Sequence, residues 1–265
     1  MDRNRDQGLL PGAIEAALER GEFEVWYQPQ LDLSTGALSR FEALVRWRHP
    51  AWGVLLPKDF LALAVETAEI GRLGEFVLNE AVRQVGVWRD LAAQANVGVS
   101  VNLSAQEVVD ERLPRAVEAA LAEHGVPAYL LTVELTESSL MAPASVRAVE
   151  ALRELGVGIA VDNFGTGFSS LSRLRRLGVH YLQIDRTLVA GLCRDQDDSV
   201  VVEAVVVLAH TLGMKAVAEG VETLDQLGRL SDLGCDFAQG FYWSKAMLSE
   251  DARRMVSRAL VQLAG

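Results

Sequence analysis

A chain of 265 residues, half of them hydrophobic and with a net charge of −11, has ample material for a packed core and lies far from a disordered composition. The acidic balance argues against a DNA or RNA polymer as partner, because that binding rests on neutralising many phosphates with Lys and Arg. The two cysteines and four histidines are scattered without metal-ligand spacing, which argues against zinc, and Cys193 and Cys235 read as buried, reduced thiols.

The first ten residues, MDRNRDQGLL, lack an apolar signal core, and the most apolar stretch, 200–210, is interrupted by Glu203 and too short to span a bilayer. These features predict a soluble, cytoplasmic protein with no membrane contact in this segment. In chain order, strands are expected at 23–29 and 40–47, joined by DLSTGAL, a turn-like connection with no helix, so that the pair runs antiparallel. Helical periodicity follows over 57–70, with Pro57 near its start, and over 74–91. Next come a strand at 97–103, a helix at 111–125, a strand at 130–137 and a helix at 143–158, with Gly125 and Gly156 suited to helix C-termini. Strands at 157–163, 180–185, 214–220 and 235–240 then alternate with helices at 199–213 and 224–234, and a helix at 249–263 closes the chain. Several strands are near-continuous in apolar residues, as parallel strands covered on both faces should be. No low-complexity linker divides the series, so the pattern predicts one α/β domain over 1–265, a closed barrel made irregular by its first strand.

Polar residues recur at the ends of these strands: Gln28, Glu42 with Arg46, Asn102, Glu134 with Glu137, Asp162 with Asn163, Gln183 with Asp185, Glu219 with Glu222, and Gln239. Any one of them alone is ordinarily a solvated loop residue; the succession carries the signal. A barrel gathers its strand ends on one face, and unpaired carboxylates converging there need a positive partner. Glu42, Asn102, Glu134, Asp162 and Glu219 offer oxygen donors only, which select hard cations such as Mg²⁺ or Mn²⁺. The glycines after Asp162, at 165 and 167, fit neither phosphate-loop spacing and read as a sharp turn off the strand. Trp243, just past the last strand, is placed to stack on a flat base.

The motifs YQPQ (27–30), FEALVRW (41–47), VNLS (101–104), ELTES (134–138), DNFGTGFSSL (162–171), LQIDRTLV (182–189), AEGVET (218–223) and QGFYWSK (239–245) together resemble EAL domains, the bacterial cyclic di-GMP phosphodiesterases, over a core of about 9–250. The resemblance implies a modified (β/α)8 TIM-type barrel with the first strand antiparallel. It implies that Glu42, Asn102, Glu134 and Asp162 hold a first Mg²⁺ or Mn²⁺, and that Glu219 is the general base or holds metal-bound water. Arg46 would contact ligand phosphate, Gln28, Gln239 and Glu222 would bind substrate, and Glu137 would anchor the glycine loop, which also couples the subunits of a homodimer. The reaction implied is hydrolysis of cyclic di-GMP to linear pGpG, within a longer parent chain bearing sensory or GGDEF domains.

Two positions at the catalytic end depart from the family pattern: Asn163 stands where a second Asp is usual, and Gln183 where a Lys is usual. Both concern the second metal and the attacking water, and neither touches the first-metal set. Losing one preorganised stabilising group typically costs roughly 10²–10³-fold in turnover. Three readings follow: a phosphodiesterase with weakened turnover, a cyclic di-GMP receptor that does not hydrolyse its ligand, and a ligand-free interaction module. An enolase-type lyase would need a Lys base at a strand end, and the candidate position is Gln183.

Overall fold

Alternating apolar runs build nine strands in the computed structural model, which describes residues 10–91, 96–164 and 171–263, except for the side chains of 141, 163, 171–173, 196 and 260–263. They are β1 (Phe23–Asp32), β2 (Leu38–His49), β3 (Gly53–Leu55), β4 (Gly98–Leu103), β5 (Leu131–Thr136), β6 (Gly158–Phe164), β7 (Tyr181–Ile184), β8 (Lys215–Ala218) and β9 (Phe237–Gln239). Their order is β1-β9-β8-β7-β6-β5-β4-β2-β3, and a further β1–β2 pairing closes eight of them into a ring, leaving β3 as a hairpin strand on β2. β1 runs antiparallel to both its neighbours, and the other strands of the ring are mutually parallel. The antiparallel first strand expected from DLSTGAL is therefore present. Its turn is built by Asp32, whose Oδ1 accepts from the Ser34 and Thr35 backbone N–H groups, and by Gly36 at a φ of 70°.

Strand alternation sorts the side chains. On β2, Phe41, Ala43, Val45 and Trp47 face the surrounding helices, and the Phe41 ring lies 4.8 Å from Trp88 of the helix Ile70–Leu91. The intervening residues Arg40, Glu42, Leu44 and Arg46 face the lumen. Its floor is closed by Arg40, whose guanidinium lies 4.1 Å from the Tyr181 ring centroid and donates to Thr132 Oγ1 at 2.7 Å. Gly158 leaves that floor its room, since a Cβ there would come within 2.6 Å of Thr132 Oγ1. One end of the barrel is thus filled, and the other is left open. Outside the barrel, Asp236 ties helix Gln196–Thr211 to the sheet: it accepts from Lys215 Nζ at 2.6 Å and from the Ala216 N–H at 2.9 Å, and it pairs with His210 Nε2 at 2.8 Å.

Three expectations change. The helical pattern over 57–70 is divided into a 3₁₀ turn (Pro57–Asp59) and a short helix (Leu61–Glu66), and Ala68 breaks the chain at a φ of 58° before Ile70–Leu91 begins. The break is held in place because the Glu69 carboxylate accepts from Thr67 Oγ1 and from the backbone N–H groups of Gly12 and Glu15, docking the helix Ala13–Glu19. β3 and the short helices Ala105–Val108, Glu137–Met141, Leu171–Leu177 and Arg186–Gly191 add elements too brief to register as periodicity. Cys193 is exposed rather than buried, whereas Cys235 is buried as expected and its thiol is pushed up to about 12 by burial. Among the described residues no helix is long and apolar enough to cross a membrane.

Candidate active site

The open end of the lumen is assembled by strand register. Glu42 on β2 lies opposite Gln28 on β1 and Ser100 on β4; Asn102 lies opposite Glu134; Thr136 lies opposite Asp162. β7 contributes Gln183, the residue just past β8 is Glu219, and β9 ends at Gln239. The sequence-predicted set therefore converges from all eight strands of the ring. Asn102 Nδ2 donates to Glu42 Oε1 at 2.8 Å, while Gln239 Nε2 donates to Glu42 Oε2 at 2.8 Å and to Glu219 Oε1 at 3.2 Å. Glu134 and Gln183 are 2% and 1% exposed, and Gln183 Oε1 is buried with no hydrogen-bond partner among the described residues.

Burial and mutual repulsion disfavour charge on these acids. Burial raises Glu42 above its usual range, the Asn102 and Gln239 hydrogen bonds oppose it, and Asp162 adds to it. Burial, with the charges of Glu42 and Asp162, takes Glu134 to about 8. Glu219 is raised well above 4.5 by burial, then by Glu42, Asp162 and Glu134. Such a cluster has one economical counter-charge, a cation bound by oxygen. Among the described residues no three acids, histidines or cysteines form a finished coordination shell. The fit rests instead on the oxygen-only donor set, its mutual repulsion and the buried, unpartnered Gln183 Oε1 beside it.

Arg46 is buried at the same end, donates to the Val45 carbonyl at 2.8 Å, and lies 5.5 Å from the Trp26 ring. Its Nε is buried without a partner among the described residues; burial lowers its pKa and Glu42 opposes that. Gln28 is half-buried, whereas Glu222 is exposed and engages the next helix through its backbone N–H on Gln226 Oε1. Glu137 opens the helix Glu137–Met141, and its Oε2 is buried without a partner among the described residues. The glycine loop it was expected to anchor, 165–170, and the side chain of Asn163 lie outside the described residues.

Trp243 is half-buried: it lines a groove with Leu31, Leu38 and Val97, and its ring lies 5.2 Å from that of Tyr242. The exposed aromatics at the open end are Phe241 and Tyr242, 56% and 40% exposed, on the turn that follows Gln239 and packs on Val221. QGFYWSK contained that signal, but the three adjacent aromatics could not be ordered without knowing where the chain turns. Gln30 was also missed. It lies two residues from Gln28 on the same face of β1, and its Nε2 donates to Gln239 Oε1 at 3.4 Å.

A sequence model of the family described as EAL domain matches residues 12–246. MucR of Pseudomonas aeruginosa, a bifunctional diguanylate cyclase/cyclic di-GMP phosphodiesterase, is 43% identical over 253 residues, covering 94% of this chain and 37% of that protein. The cyclic di-GMP phosphodiesterase NbdA of the same species is 38% identical over 236 residues, covering 88% of this chain and 30% of that protein. The chain thus spans about a third of the length of these relatives. The solved MucR phosphodiesterase in complex with cyclic di-GMP superposes with a TM-score of 0.86 at 42% identity, covering 90% of this chain and 97% of that one.

Proposed function

Because the chain belongs to the EAL domain family, whose relatives include cyclic di-GMP phosphodiesterases, we propose that it binds cyclic di-GMP and hydrolyses it to linear pGpG, with turnover weakened at Gln183 and Asn163. The observation that carries the reading is the convergence of Glu42, Glu134, Asp162 and Glu219, all mutually repelling, at the open end of the barrel. Glu42, Asn102, Glu134 and Asp162 would hold Mg²⁺ or Mn²⁺. When bound, such a cation supplies Lewis acidity toward a phosphoryl oxygen.

The chain's own residues supply the rest. Arg46 orients a phosphate through a guanidinium kept rigid by Val45 and Trp26. Gln28 and Gln239 line the same groove, with Glu222 at its exposed margin, and Phe241 and Tyr242 offer flat surfaces for guanine. Glu219 takes a proton from the attacking water as the new P–O bond forms, and the departing ribose oxygen takes a proton from solvent as its P–O bond breaks. Gln183 contributes an amide where an ammonium would have added charge stabilisation. The reading extends to a chain acting in the cytoplasm as a homodimer, with Glu137 anchoring the glycine loop at the subunit junction, and coupled to sensory or GGDEF domains of a longer parent.

The neutral Gln183, buried at the heart of the acid cluster, favours a second reading, a receptor that holds cyclic di-GMP without cleaving it. Incubation with cyclic di-GMP and Mg²⁺ or Mn²⁺, following pGpG beside a calorimetric titration, decides between them. Release of pGpG supports the enzyme; tight binding without product supports the receptor. No binding removes both and leaves an interaction module.

A further inference from the structure

Gln30 has no part in the hydrolysis described above, yet it is 2% exposed in the lumen, directly opposite Gln239 in the β1–β9 register. A carboxamide has a donating end and an accepting end, and the end that meets Glu42 and Glu219 decides whether Gln239 attracts or repels them. In the observed orientation both amide hydrogens of Gln239 are spent on carboxylates, at 2.8 Å and 3.2 Å. Its Oε1 then needs a donor in a buried setting, and Gln30 Nε2 provides it at 3.4 Å. With Gln30 oriented as observed, its Oε1 having no hydrogen-bond partner among the described residues, a flipped Gln239 would set its oxygen against two carboxylates and its NH₂ against the NH₂ of Gln30. The two carboxylates and Gln30 together therefore favour one orientation of Gln239.

We propose that Gln30 is a positioning residue that fixes the amide of Gln239 and, through it, the relative placement of Glu42 and Glu219. Its consequence for turnover rests on the phosphodiesterase reading; its consequence for Gln239 does not. Gln30→Glu replaces the donor by an acceptor of the same shape and reverses the relay. Gln30→Met removes the donor and adds no charge, which guards against a variant that fails to fold.

Three measurements on the folded protein test the idea. In side-chain ¹⁵N–¹H spectra, the NH₂ of Gln239 should be protected from exchange in the parent and lose that protection in Gln30→Met; equal protection in both overturns the proposal. Calorimetric Mn²⁺ affinity should fall about 10–100-fold in Gln30→Glu and less in Gln30→Met, the range for losing an outer partner of a ligand. In a Gln239→Met background either Gln30 substitution should add nothing, and additive losses overturn the relay. Where the parent turns over cyclic di-GMP, kcat should fall with KM within twofold, a split that general loosening of the barrel would not give. A parent without turnover defeats the phosphodiesterase reading alone, because the spectra still decide the role of Gln30.

Discussion

The carboxylates of Glu42 and Glu219 are bridged by a single amide nitrogen, Gln239 Nε2, at 2.8 Å and 3.2 Å. Their strands, β2 and β8, do not touch in the ring; β1 and β9 stand between them. The bridge holds two acids together although burial and mutual charge oppose ionisation of both. The site is consequently a place where the fold gives up stability for function, and that can be measured.

Glu134→Gln should stabilise the cation-free protein by about 1 kcal/mol, typical of relieving a strained functional site, while abolishing turnover. The sign of its pH dependence follows from a carboxyl raised from 4.5 to about 8. Between those values the folded chain binds more protons than the unfolded one, so the parent loses stability as pH rises across the window. The advantage of Glu134→Gln should therefore be absent below pH 4.5 and complete above about pH 8. Thermal melts of both proteins across that range, with and without MgCl₂, check it; a difference independent of pH would refute it.

Gln183→Lys combined with Asn163→Asp should raise turnover at least tenfold, a conservative fraction of the roughly 10²–10³ attributable to one stabilising group. Affinity for cyclic di-GMP should stay within a few-fold, because Arg46, Gln28 and the rim aromatics are retained. Steady-state kinetics beside a binding titration separate the two effects. A double variant as slow as the parent would show that these positions do not limit the reaction.

Arg46→Met should weaken cyclic di-GMP binding about tenfold or more, the scale of one lost charge-assisted hydrogen bond at about 1.5 kcal/mol. Arg46→Lys should recover little of it, since the planar group held between Val45 and the Trp26 face is not reproduced by an ammonium. Titration calorimetry distinguishes these outcomes, and full recovery by Lys would reduce the role of Arg46 to a point charge.

Away from the site, burial raises the Asp236 carboxyl, but hydrogen bonds from Lys215, the Ala216 N–H and His210 outweigh it and leave the group below 3.8. A depressed folded value means stability that is present above 3.8 and lost as pH falls through it. Asp236→Asn should cost about 2 kcal/mol at neutral pH, in the range for hydrogen bonds to a charged group. The deficit should shrink in acid as the parent Asp236 protonates. Urea melts at neutral and acid pH test this, and a deficit constant with pH would place the loss in packing instead.

The barrel was legible because its strands are buried on both faces and its polar strand ends fall in succession; Glu42, Asn102, Glu134, Asp162, Gln183, Glu219 and Gln239 all reach the expected end. What escaped had local causes. The pattern over 57–70 kept helical periodicity through Ala68, whose left-handed backbone is stabilised by Glu69 and a helix distant in sequence. Of the three adjacent aromatics 241–243, Phe241 and Tyr242 are exposed and Trp243 is half-buried, a sorting that periodicity does not give because it cannot say where a chain leaves a strand. Gln30 looked like one more polar residue of an antiparallel strand until Gln239 was seen opposite it.

The reversed β1 also sets the order of assembly. Glu42 and Gln239 are separated by 197 residues, and β9 is the last strand of the ring in chain order. Until it arrives, β1 and β8 present open edges that can pair with other chains. Contacts so far apart in sequence close slowly, because loop entropy is lost before they form. The interval during which a nascent chain needs protection is therefore governed by completion of the ring rather than by weak packing, and the acid cluster gains its amide bridge only in that final step.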